Sequence, residues 1–156
     1  MSPDILQVLH HTACGGLAAA GFGVLFNIGF RTLAWCAVSG ALALAVRTVA
    51  LQSGGSLVAA SFIAALAVGA AAHLLETRIG VSSNALAVVG CIPMIPGAVA
   101  ARAILGLFAV TAQPTTASAD AFFAALEDAL RVAFTIGALG TGVAIPTLLM
   151  RARWTT

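Results

Sequence analysis

The chain has 156 residues, is 61% hydrophobic and only 8% charged, and sets seven basic residues against five acids. Soluble domains carry about 25% charged residues, so this composition excludes that class. With a mean hydropathy of +1.08 it reads as an all-α, polytopic membrane helix bundle. A net charge of +2 is too small for a nucleic-acid footprint, and no period-two alternation marks a transmembrane barrel.

One integral-membrane domain, 1–156, is expected, with five apolar stretches that each reach the about 20 residues of a spanning helix. Ahead of the first, 5–26, MSPDILQVLHH carries an acid and no basic residue, the wrong charge for a secretory leader. Gly15, Ala19 and Gly23 recur every four residues there and share one face. His10 and His11 are adjacent, so on a helix they diverge by about 100° and chelate poorly. NIGFR (27–31) separates the second stretch, 32–51. Asn27 and Arg31 are expected to cap helices and fix topology. Arg47 lies near the end of this stretch, where its head can snorkel to the interface.

QSGG (52–55) precedes the third stretch, 56–75, in which Ser61, Ala65, Gly69 and His73 form a small-residue face suited to close helix approach. Ser61 can offer its hydroxyl to a neighbouring helix or to a substrate. His73 and Glu76 share a face, open to an interfacial pair or to proton coupling. Residues 76–84 then lead into the fourth stretch, 85–111. The connection 112–129 begins AQPTTASAD. Ser118 or Asp120 is expected to cap a helix that runs unbroken into the fifth stretch, 130–150, where Gly137 and Thr141 share a face. Asp120, Glu127 and Asp128 are expected on a solvated face. Cys14, Cys36 and Cys91 match no metal or redox spacing, so no metal or cofactor is expected. No acid, base and nucleophile stand at a catalytic spacing, and an enzyme is not expected either.

The fourth stretch contains a fault, GCIPMIPGAV (90–99). Pro93 and Pro96 each lack an N–H and each clash with the carbonyl four residues back. In hydrocarbon the freed backbone groups must be buried in protein or face a wet cavity. A straight helix over 85–111 would measure roughly 40 Å against a core of about 30 Å, so there is length for a break. Pro96 suits the first position of a new helix. The N–H groups of Gly97, Ala98 and Val99 are then expected to project from its positive end, with the Val89 and Ile92 carbonyls unpaired upstream. Gly97 lets a ligand approach the backbone. Arg102, deeper in the second half-helix, is a costly charge open to a substrate role or to structural pairing. Ends of this kind hold anionic groups and cations in transporters with discontinuous helices. A simple kink is the other reading.

GFGVLFNIGFRTL (21–33), WCAVSGAL (35–42), VAASFIAALAVG (58–69), CIPMIPGAVAARAILGL (91–107) and IGALGTGVAIP (136–146) together resemble the threonine/serine exporter family. The likeness is to the small membrane-only subunit of its two-component members and covers most of the chain. The resemblance implies a multi-pass protein of the bacterial inner membrane, working with a larger membrane subunit of the same family. It implies export of a small carboxylate or amino acid (threonine, serine or succinate), driven by the proton motive force. An accessory subunit without substrate contact is the rival reading, and the surplus of small-residue faces leaves a homo-oligomer open.

If all five stretches cross, Arg31, Arg78, Arg151 and Arg153 fall on one side. The positive-inside rule then sets the N-terminus outside and the C-terminus in the cytoplasm. Topology reporters at Ser83 and near Thr116 should therefore face opposite sides of the membrane. Finding both on the same side would make 85–111 re-entrant.

Overall fold

The computed structural model describes residues 4–79, 82–112 and 119–152. Six α-helices follow one another: α1 (Ile5–Leu25), α2 (Phe30–Gln52), α3 (Leu57–Ile79), α4 (Ser83–Cys91), α5 (Gly97–Ala112) and α6 (Ala119–Ala152). A 3₁₀ turn, Ile92–Met94, follows α4. Helices α1, α2, α3 and α6 are each long and apolar enough to cross a membrane, and α4 with α5 makes a fifth crossing if counted as one interrupted span. The all-α, polytopic class expected from composition is the class observed. Helix α6 runs for 34 residues, through Pro146 and into the fifth apolar stretch without a break. Asp120 lies in its first turn, and Ser118 falls outside the described residues.

The first two helices end in the same way. The Asn27 N–H donates to Val24 O at 3.0 Å and the Ile28 N–H to Gly23 O at 2.9 Å. Asn27 has φ +54°. This is a Schellman stop, with a left-handed residue just past the cap. At the end of α2, Gly54 takes that position at φ +91°, and the Gly54 and Gly55 N–H groups reach back to Leu51 O and Ala50 O, both at 3.0 Å. Helix α3 then starts on Ser56, whose Oγ accepts the Ala59 N–H at 3.2 Å, an N-cap bond to the third helical residue. Three orphan sets of backbone groups are thus satisfied locally, which makes tight joints between spans.

By packing, the chain divides into one unit of Met1–Met94 with Ala138–Thr156 and another of Ile95–Gly137. The interior of the first is built from small residues, among them Ala19, Cys36, Ala43, Ala64 and Ala65, with Leu86 and Met94 as its larger members. Ile5, Leu17, Phe30 and Leu74 point outward. Lipid tails are as apolar as leucine, so only close packing and hydrogen bonds favour one helix against another, and small residues permit both. A Cβ added at Gly40 would overlap Ala19 Cβ and lie 2.5 Å from Gly15 O, so α1 and α2 touch backbone to backbone. One added at Gly90 would come 2.7 Å from Ser39 Oγ, which sets the approach of α4 to α2. The small face of α3 meets the end of α6: Gly69 faces Val143 and Pro146, and Gly142 sits under Ala65 and Phe62 O. Within the second unit, Gly106 of α5 faces Ala125 of α6.

Gly40→Val should destabilise the protein by about 1–3 kcal/mol or more, because backbone rather than a movable side chain stands in the way. Gly21, with nothing within 4 Å of an added Cβ, should accept alanine without loss. Thermal unfolding in detergent measures both, and equal melting temperatures for the two variants would contradict this packing.

Candidate functional site

The break predicted at 90–99 is present, and it is anchored on its upstream side. The Ser39 hydroxyl of α2 is buried, 2.9 Å from Cys36 O and 3.2 Å from Leu86 O, so its proton is shared between its own helix and α4. Helix α4 ends at Cys91, and the 3₁₀ turn places Met94 fully inside the unit. There the chain leaves helical geometry and the Met94 carbonyl has no helical N–H to meet. Arg47 supplies the donor: its Nη1 donates to Met94 O at 2.7 Å. The expectation that Arg47 snorkels to the interface is therefore corrected. A buried orphan carbonyl in an apolar medium attracts a charge-assisted bond more strongly than an interface attracts the head.

Downstream, α5 begins at Gly97, one residue later than expected, and Pro96 is its cap. The Pro96 carbonyl accepts the Ala100 N–H at 3.0 Å. The Gly97 N–H, expected to be free, donates to Ile95 O at 2.8 Å. Pro96 is the central residue of that three-residue turn, and proline's fixed φ matches what such a turn requires. The orphan donors at this helix end are thereby reduced to Ala98 and Val99, which have no backbone acceptor among the described residues. Ala98 is exposed and Val99 half-buried. Gly97 is exposed too, with nothing within 4 Å of where a Cβ would stand. The positive end of a 16-residue helix is thus accessible at its backbone.

Arg102 does not stand alone as a charge. Its Nε lies 3.3 Å from Asp128 Oδ2, the arginine side chain 65% exposed and the aspartate 22%. Asp128, expected on a solvated face, is instead largely covered. Arg131 and Glu127 form a second pair at 3.1 Å.

The remaining singled-out residues lie elsewhere. Asn27 serves through its backbone as the left-handed stop of α1, and Arg31 is exposed on the first turn of α2. Ser61 is fully buried, but its hydroxyl donates to Leu57 O of its own helix at 2.7 Å. His73 Nδ1 lies 3.5 Å from Glu76 Oε2, the i, i+3 pairing expected on that face. Cys36 and Cys91 pack inside, and Cys14 is exposed. Sequence reasoning missed Ser39 and the true partner of Arg47. Both contacts join residues 47 apart, beyond any helical periodicity. Their signal was only that Ser39 and Arg47 are polar side chains within a mostly apolar stretch.

Arg47→Met should leave the Met94 carbonyl buried and unpaired, a loss of about 1–3 kcal/mol. Arg102→Ala, which removes the mostly exposed partner of its pair, should cost no more than about 1 kcal/mol. Thermal unfolding of the two variants in one detergent gives the order, and the reverse order would contradict the anchoring role of Arg47.

Comparison with known proteins bears on the same segments. A family model described as threonine/serine exporter, ThrE, matches residues 11–149. An uncharacterized protein of Haemophilus influenzae is 30% identical over 146 residues, which is 93% of this chain and 48% of the relative. The chain therefore spans about half the length of that curated relative. No solved structure matches it. The family match takes in every described helix from His11 of α1 to Leu149 of α6, including the interrupted segment between α4 and α5, and the family is one of membrane transporters. On that match this multi-pass membrane protein belongs to the threonine/serine exporter family.

Proposed function

We propose that the chain is the membrane subunit of a small-carboxylate or amino-acid exporter of the bacterial inner membrane, acting with a larger subunit of the same family. Threonine, serine and succinate are the substrate class. The observation that carries the reading is the accessible start of α5, where the Ala98 and Val99 N–H groups lack backbone acceptors. Each of these substrates carries a carboxylate, and a carboxylate is the group that a helix N-terminus receives. Pro93 and Pro96 create the interruption, Gly97 keeps the backbone open, and Arg102 with Asp128 sets the local charge. What supports a larger subunit is that this chain spans only 48% of the Haemophilus influenzae relative.

A second reading is favoured by one observation. The arginine of the Arg102–Asp128 pair is mostly uncovered by this chain, and an exposed charge within a bilayer needs a protein or aqueous neighbour. An accessory subunit that uses this pair to dock its partner, without touching substrate, would satisfy that need. Arg102→Ala separates the two: altered substrate preference supports the exporter site, whereas lost co-purification with the larger subunit supports docking. The orientation follows the arginines, with the N-terminus outside and the C-terminus in the cytoplasm.

Replacing Pro93 and Pro96 together by alanine should abolish export of labelled threonine, serine and succinate while the protein remains in the membrane. Export at the unchanged rate would remove the break from the mechanism.

A further inference from the structure

Helix α1 is the least apolar of the four long spanning helices, because Gln7, His10 and His11 fall in its first two turns. Two of these side chains are engaged with α2. Gln7 Oε1 accepts from Gln52 Nε2 at 3.0 Å, and His11 Nδ1 lies 3.2 Å from Thr48 Oγ1. His10 is exposed, and its polar contact lies on α1 itself: Nε2 stands 3.8 Å from Sγ of Cys14, which is exposed as well.

Residues four apart share a helix face, and this is the spacing by which two side chains of one helix hold a zinc ion. A tetrahedral zinc ion, with Zn–S of about 2.3 Å and Zn–N of about 2.0–2.1 Å, sets two such ligands about 3.6 Å apart. The separation of His10 Nε2 from Cys14 Sγ exceeds that by only about 0.2 Å, which exposed side chains close by small rotations. The donor set is selective: an imidazole and a thiolate suit zinc and softer ions, whereas magnesium and calcium take oxygen ligands. A thiol–imidazole hydrogen bond is the plainer account of the contact, but a thiol is a weak donor. An ionisable side chain exposed on a spanning helix is costly without a stronger partner.

We infer that His10 and Cys14 form a bidentate site for a thiophilic divalent cation of the zinc class. No group of three histidines, cysteines, aspartates or glutamates forms among the described residues, so the other coordination positions are open to water. An incomplete protein shell leaves the ion exchangeable, and binding it releases the thiol proton. The site is separate from the break, and no part of it rests on the exporter reading. Cysteine spacing could not reveal it, because its second ligand is a histidine.

The full chain in phosphatidylcholine nanodiscs, without a polyhistidine tag and titrated with Co²⁺, tests it. Binding should give the near-ultraviolet band of a Co–thiolate bond. Zn²⁺ should bleach that band by displacement, and excess Mg²⁺ should not. Cys14→Ser should abolish the band although Cys36 and Cys91 remain. Changing a group that merely orients a metal ligand costs about 10- to 100-fold in affinity, so His10→Ala should weaken binding by at least about 10-fold. His11→Ala, at a position turned about 100° away, should change affinity by less than about 2-fold. His10 and Cys14 are both exposed, so neither variant disturbs the packing. A band that survives Cys14→Ser, an affinity indifferent to His10→Ala, an equal loss in His11→Ala, or no band at any Co²⁺ concentration would overturn the assignment.

Discussion

A backbone carbonyl inside a membrane protein must find a donor, and at Met94 the donor is an arginine from another helix. Much of the structure around the break follows from that single bond. The chain leaves helical geometry between the two prolines, the 3₁₀ turn carries Met94 into the interior, and α2 comes close enough for Arg47 to reach its carbonyl. The close approach is provided by residues with almost no side chain: Gly40 against Gly15 between α1 and α2, and Gly90 against Ser39 between α4 and α2. In lipid, where burial of apolar surface gives helices little reason to associate, such contacts and the hydrogen bonds they permit hold the unit together.

The two sides of the break are treated differently. Upstream, two side chains of α2 hold it, Ser39 at Leu86 and Arg47 at Met94. Downstream, the Gly97 N–H closes a turn on Ile95, and then the chain offers two donors with no backbone acceptor. The exporter reading proposed above rests on those two donors at the start of α5. Cys36 and Cys91 pack inside, and His73 lies beside Glu76.

Much of this was legible in the sequence, for definite reasons. Apolar stretches of spanning length located the helices, and the Ala-Phe-Phe run after Asp120 announced that α6 begins well before its span. Pro93, Pro96 and Gly97 located the break, since each proline removes an N–H and clashes with the carbonyl four residues back. The four-residue recurrence of Ser61, Ala65 and Gly69 marked the packed face of α3, and the structure sets part of α6 against it. What periodicity could not reveal were pairings between distant residues. Arg47 looked like a snorkelling side chain because its distance from the helix end allowed it, and nothing near it in sequence names Met94. Asp128 looked solvated for the same reason, its partner Arg102 lying 26 residues away. The Gly97 N–H was miscounted because helix rules, rather than the three-residue turn at Pro96, were applied to it.

The central claim is that the start of α5 lies on the substrate path, and thiol accessibility at Ala98 measures it directly. In a background with Cys14, Cys36 and Cys91 replaced by alanine, Ala98→Cys should react with a membrane-impermeant thiol reagent in the presence of the larger subunit. The rate should fall when L-threonine, L-serine or succinate is added. A thiol that never reacts, or that reacts at the same rate with every substrate present, would contradict the account.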